Sequence, residues 1–284
     1  MAKPTIAILY DFDKTLCTQD MQEYDFIKNL DMTPEEFWGE TSKLTDKHDM
    51  DRILAYRFMM IKKCQEKNIK LTEEYLNKCG ESVILYRGVS TWFDRINEYG
   101  KSIGANIEHY VVSSGITEII NGTSIAKNFK KIYGCSFLYN ENGEAIWPKM
   151  AINFTLKTQY IFRISKGVLD VTDDDNLNRH KAERRIAYQN MIYLGDGMTD
   201  IPCMKLLREK GGRAIALYPS GKRDKIADLV NDNRINYACV ADYSQNSTLE
   251  KIVKLMIDNM VGMENLMARE EKQLAQFVKS NDNN

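Results

Sequence analysis

Two carboxylates and a hydroxyl alternate in Asp11-Phe12-Asp13-Lys14-Thr15, directly after the apolar run Ile6–Tyr10. Neighbouring acids at the end of a buried strand repel one another and call for a cation. In such a pair one carboxylate can attack as a nucleophile while the other moves a proton. A second pair stands in Gly195-Asp196-Gly197-Met198-Thr199-Asp200, where flanking glycines let the chain turn tightly and aim both carboxylates into one small volume. Hard oxygen ligands with room for water suit Mg2+. Between these pairs lies Tyr110-Val-Val-Ser113-Ser114-Gly115, an apolar run ending in hydroxyls, with a helix expected from Ile116 to Asn121. Free N–H groups at a helix start suit a phosphate oxygen. Lys157 opens a predicted helix over Leu156–Ser165. A cation is mildly unfavourable there, so a bound anion is the sharper explanation.

These residues need a scaffold that brings distant segments together. Ile6–Tyr10, His109–Ser113, Met191–Leu194, Arg213–Leu217 and Tyr237–Val240 read as buried strands. Ile132–Tyr139 and Ala145–Trp147 flank Asn140-Glu-Asn-Gly143, a hairpin signal. Helices are expected over Ser90–Tyr99, stopped at Gly100, and over Ile201–Glu209. The pattern predicts an α/β, doubly wound, mainly parallel sheet, whose ligand chemistry belongs at the carboxyl ends of its strands. From about Cys17 to Tyr86 the pattern is helical, with Thr33-Pro34-Glu35-Glu36 as a capping box and Asp51–Lys63 amphipathic. Residues 166–188 show no clear period and read as a surface insertion; Asp173-Asp174-Asp175 within them is a solvated charge run. Apolar residues at 249, 252, 253, 256, 260, 263 and 267 give the terminal helix a stripe suited to docking on the core.

Composition sets limits. The chain has 284 residues, 43% hydrophobic and 28% charged, enough to fold into one large domain or about two ordinary ones. A net charge of -1 provides no field for gathering nucleic acid or an anionic membrane. No secretion signal or spanning segment is evident, and six scattered cysteines suit reduced thiols in a cytoplasmic protein. Cys17 has no activating partner in the sequence, and His48, His109 and His180 have no ligand spacing.

Taken together, Asp11-x-Asp13-x-Thr15, Ser113, Lys157 and Gly195-Asp196-Gly197-x-x-Asp200 resemble, in order, the four motifs of the haloacid dehalogenase superfamily. The helical stretch between the first and second motifs is similar in position to the cap of its phosphoserine phosphatase-like branch. That resemblance implies a Rossmann-like core (1–16 and 88–284) with an all-helical cap domain (17–87). It implies a magnesium-dependent phosphomonoesterase acting on a small phosphorylated metabolite through an aspartyl-phosphate. Asp11 would be the nucleophile, Asp13 the acid and base, and Thr15 their support. Ser113, the Ser114 N–H and Lys157 would hold the phosphoryl oxygens. Magnesium would sit on Asp11, the Asp13 backbone carbonyl, Asp196 and Asp200. In that branch Asp20 falls where Glu meets a substrate ammonium, and Arg57 where an arginine meets a substrate carboxylate. A phosphotransferase passing the group to an alcohol is the alternative; a non-catalytic binder would need neither nucleophile nor acid. The chain is expected to act as a monomer or homodimer.

Overall fold

The computed structural model describes residues 3–179 and 184–281, so His180 and Lys181 lie outside the described residues. Seven strands form one sheet: β1 (Thr5–Tyr10), β2 (Asn106–Ile116), β3 (Lys131–Tyr139), β4 (Ala145–Met150), β5 (Met191–Gly195), β6 (Arg213–Tyr218) and β7 (Tyr237–Val240). Their order is β4-β3-β2-β1-β5-β6-β7, parallel throughout except for the antiparallel β3–β4 hairpin. From β1 the chain builds outward on one side through β2 and β3, then returns to build on the other through β5, β6 and β7. The loops leaving β1 and β5 therefore diverge over a crevice at their carboxyl ends, the place where such sheets bind ligands.

The central strands are apolar because both faces are covered: Ile6–Tyr10 and Met191–Leu194 are fully buried. The helices are α1 (Phe26–Asn29), α2 (Pro34–His48), α3 (Arg52–Glu66), α4 (Glu73–Glu81), α5 (Val89–Ser102), α6 (Thr117–Asn121), α7 (Lys157–Lys166), α8 (Asp174–Asn178), α9 (Ile201–Glu209), α10 (Ala227–Asn231) and α11 (Thr248–Asn281). In the flanking layers α7 packs against α9, and α11 packs against α5 and β7. No helix among the described residues is long and apolar enough to cross a membrane.

The helical insertion after β1 carries α1–α4. Thr33 and Glu36 close the expected capping box at the start of α2, and Asp51 caps α3. Gly100 does not stop α5, which runs on to Ser102. A Cβ at Gly100 would fall 2.4 Å from Ile107 Cγ1, so that glycine serves close packing inside the helix. The segment after α7 is better anchored than its lack of period suggests. Arg163 pairs with Asp174, and Arg185 and Lys130 converge on Glu108. Burial works to raise the Glu108 carboxyl, but the bonds from Arg185, Lys130 and Tyr110 outweigh it and hold it down at about 2.

Candidate active site

The site forms where β1 and β5 end side by side. Asp11 N–H donates to Leu194 O at 2.9 Å, which ties the first acid to the strand that delivers Asp196. The backbone then coils back on the Phe12 carbonyl, accepting from the N–H groups of Thr15, Leu16 and Cys17, with Lys14 in the left-handed region at φ 54°. For a residue with a Cβ that conformation is uncommon. The Asp13 carboxylate accepts the Met21 N–H at 2.8 Å. Lys14 Nζ meets Asp20 Oδ2 at 2.6 Å, so Asp20 stands at the rim beside Asp13.

Lys157, at the first turn of α7, is 1% exposed. Its ammonium lies 2.9 Å from Asp11 Oδ1 and 2.8 Å from Asp200 Oδ1. Asp200 is fully buried and also accepts from the Tyr193 hydroxyl at 2.7 Å and the Asp196 N–H at 3.2 Å. A Cβ on Gly195 would fall 2.3 Å from Asp200 Oδ2, so only glycine lets that carboxylate approach. Gly197 is in extended backbone with open space around it, and the demand for glycine falls on Gly195 alone.

Asp11, Asp196 and Asp200 present oxygens within 4.8 Å of one another, the only such group among the described residues. One ammonium does not balance three carboxylates. Burial first, then the charge of Asp200, pushes Asp11 up to about 6 even though Lys157 pulls the other way. Burial, Asp200 and Asp11 push Asp196 up to about 8. The donor set and its shortage of positive charge fit a hard divalent cation held by these three carboxylates. The Asp13 carboxylate stands outside this group. Burial, then Asp20 and Asp11, pushes it well above the usual carboxylate range, so it favours its acid form. Lys157 is the converse: burial opposes its charge, but Asp11 and Asp200 outweigh that and keep it firmly protonated.

These shifts predict a pH-dependent response to metal. A carboxyl raised by folding gives stability at low pH that is lost as pH rises through its folded value, here from about 4 to about 8 for Asp196. A cation reverses that loss. Added Mg2+ should raise Tm by at least about 5 °C at pH 8 and hardly at all at pH 5, read by thermal scans against a chelator. Equal gains at both pH values would place the metal elsewhere.

Ser113 is fully buried on β2, its Oγ accepting the Gly115 N–H at 2.9 Å. The expected strand end at Ser113 needs correction, whereas the next helix starts within one residue of the expected Ile116. The strand continues to Ile116, and the five-residue α6 starts at Thr117, because the chain after Val112 bulges out of register with β3 and stays extended. Gly115 nonetheless abuts the first motif: a Cβ there would sit 3.0 Å from Asp13 Oδ2. The side-chain oxygens of Thr15 and Ser114 are buried without a partner.

Arg57 also departs from expectation. It is fully buried with its guanidinium over the Phe137 ring, donating to the carbonyls of Ser136 and Met150. Those bonds fasten α3 to the β3–β4 hairpin and leave the group committed to backbone rather than to a substrate carboxylate. Its neighbour Tyr56 reaches the site instead, donating to Ser114 O at 2.8 Å. Tyr193, Tyr56 and Lys14 were not singled out by sequence. Lys14 carried a signal, lying inside the first motif; the two tyrosines act through contacts that only the fold creates. Cys17 lies against Asp13, but burial, then that carboxylate, pushes its thiol well up, which makes it inert.

The chain has relatives in sequence and in fold. An uncharacterized protein of Borreliella burgdorferi is 25% identical over 270 residues, covering 86% of this chain and 93% of that one. Two solved structures share the fold. A probable phosphoserine phosphatase from Vibrio cholerae has TM-score 0.59 and 12% identity, covering 93% of this chain and 67% of its own. A phosphoserine phosphatase described as a phospho-aspartyl intermediate analogue has TM-score 0.53 and 16% identity, covering 89% and 99%. A family model for haloacid dehalogenase-like hydrolases matches residues 8–205, a span that starts in β1 and ends in α9 and so includes every acid of the cluster. The chain belongs to the haloacid dehalogenase-like hydrolases.

Proposed function

We propose that this hydrolase is a magnesium-dependent phosphomonoesterase for small phosphorylated metabolites, working through an aspartyl-phosphate on Asp11. The observation that carries this reading is the division of labour between the two acids of the first motif. Asp11 lies 2.9 Å from the Lys157 ammonium and within the three-carboxylate group, where Lys157 restrains a carboxyl that burial and Asp200 push up to about 6, so a nucleophile at that position is largely ionised at neutral pH. Asp13, away from that lysine and raised well above its ordinary range, is suited to start as an acid.

Asp11 would attack phosphorus while Asp13 gives its proton to the leaving alkoxide. Asp13 would then take a proton from the water that hydrolyses the acyl-phosphate. Lys157 and the Ser113–Ser114 segment would orient the phosphoryl oxygens, since phosphoryl transfer depends chiefly on positioning and charge stabilisation. Mg2+ on Asp11, Asp196, Asp200 and the Asp13 carbonyl would supply neutralisation of the phosphoryl charge. Residues 17–87 would form the cap that walls the leaving group, with Asp20 at its rim. With Arg57 committed to backbone carbonyls, this chain lacks that grip on an amino-acid carboxylate. The buried free cysteines suit a reducing cytoplasm.

The test is turnover of an aryl phosphate with and without Mg2+, followed by a screen across phosphorylated amino acids, sugars, polyols and nucleotides. Asp196→Ala should cut kcat/KM by about a hundredfold or more and raise the Mg2+ needed for half-activity. No turnover of any monoester by the wild-type protein, or an unchanged Mg2+ titration in the variant, counts against the reading.

A further inference from the structure

Asp200 stands at the N-cap of α9, a place where an aspartate ordinarily turns its side chain onto the first free N–H groups of its helix. Pro202, the second helical residue, has no N–H, so such a cap would fall to the Cys203 N–H. The Asp200 side chain makes no capping bond. It folds back over Gly195 instead, into the volume that a Cβ there would fill. Side chains two apart on a strand share a face, so the Tyr193 ring stands beside the gap that Gly195 leaves on β5.

Three donors hold the carboxylate in this inward position. The Tyr193 hydroxyl at 2.7 Å and the Lys157 ammonium at 2.8 Å both reach Oδ1, and the Asp196 N–H reaches Oδ2 at 3.2 Å. Asp200 thereby braces the lysine that meets Asp11 and the loop that carries Asp196. The three donors differ in how firmly they are placed. Lys157 ends a flexible four-carbon stem and is shared with Asp11 at 2.9 Å, and the Asp196 bond is the longest. Tyr193 is a rigid ring, fully buried on a central strand, and its position does not depend on the charges of the site.

We propose that Tyr193 is a positioning residue for the metal and phosphoryl site: its hydroxyl keeps Asp200 turned inward, away from the α9 cap, so that Asp200 supports Lys157 and the Asp196 loop. Its effect runs through Asp200. The inference rests on the phosphatase reading, with Mg2+ held by the three-carboxylate group.

Tyr193→Phe tests this, because it removes the hydroxyl and keeps the ring that fills the core. The fold should persist, since Asp200 retains Lys157 and the Asp196 N–H. Thermal scans at pH 8 over a Mg2+ titration, against a chelator baseline, read metal binding without turnover. The variant should need about tenfold more Mg2+ than wild type for half of the full Tm gain, the scale expected when a support behind a metal ligand is lost. The Mg2+ needed for half-maximal turnover of an aryl phosphate should shift by the same factor. Tyr133→Phe is the control: Tyr133 is also fully buried, but its hydroxyl donates to Leu169 O at 2.9 Å, beyond α7, and its loss should leave the Mg2+ requirement unchanged. A Tyr193→Phe variant that melts lower in chelator yet keeps the wild-type Mg2+ requirement overturns the proposal, as does an equal shift in Tyr133→Phe. In either case a wild-type protein that responds to Mg2+ and turns over the aryl phosphate leaves the phosphatase reading standing. A wild-type protein that gains no Tm from Mg2+ removes the metal site and this proposal together.

Discussion

Asp11→Asn lowers kcat by at least about a thousandfold while the fold persists, the result expected when a covalent nucleophile is replaced by an amide. The amide keeps the shape of the side chain and can still accept from Lys157, but it cannot form an acyl-phosphate. Lys157 also keeps Asp200 at 2.8 Å, so its ammonium is not stranded. The charge balance argues that stability survives or improves. Asp11 is one of the two carboxylates whose charge lifts Asp196, and removing it lets Asp196 fall toward the ordinary range. At pH 8 without metal, the variant should therefore melt no lower than wild type. Acid-quenched enzyme should carry label from a labelled phosphomonoester only in the wild type. A variant within tenfold of wild-type activity, with contamination excluded, would remove Asp11 from the nucleophile's role.

The acids were legible in sequence because strand ends are. An apolar run that stops at a charged residue marks both the strand and its carboxyl end, and Asp11 and Asp196 follow such runs directly. Lys157 was legible because a cation at a helix start goes against the helix dipole, and the structure gives the anions that offset this, Asp11 and Asp200. Arg57 was misread for a physical reason. Its place on α3 follows from periodicity, but periodicity does not tell which neighbour each face meets, and this face meets the carbonyl ends of a hairpin. One residue earlier, Tyr56 points to Ser114. Tyr193 was hidden for a similar reason: in the run Met191–Leu194 a tyrosine reads as core, and only Asp200, folded back over Gly195, gives its hydroxyl a function. The anchoring of 166–188 depends on Glu108 of β2, a partner 77 residues before Arg185 that no local pattern could supply.

Lys157→Ala should be as damaging as loss of the nucleophile, and its signature is a dependence on pH. Among the described residues, Lys157 is the buried cation paired with the three-carboxylate group. Without it Asp11 loses the charge that restrains its rise, so its carboxyl climbs above about 6 and is largely protonated near neutrality. A protonated Asp11 cannot attack, and the phosphoryl oxygens lose a cation as well. Together these should lower kcat by about a thousandfold or more and move the low-pH limb of the activity profile upward. Stability follows the same logic. Removing one partner of a buried ion pair commonly costs about 3–5 kcal/mol, but carboxylates can escape that cost by taking up protons. The raised values of Asp11 and Asp196 give stability at low pH that disappears as pH rises through them. The Tm deficit of the metal-free variant should therefore be small at pH 5 and widen steadily to pH 8, where Mg2+ should narrow it again. Added methylamine should restore part of the activity by returning a cation to the vacated volume. A deficit of equal size at pH 5 and pH 8 would show that Lys157 acts through packing rather than charge, and activity within tenfold of wild type would exclude it from the phosphoryl site.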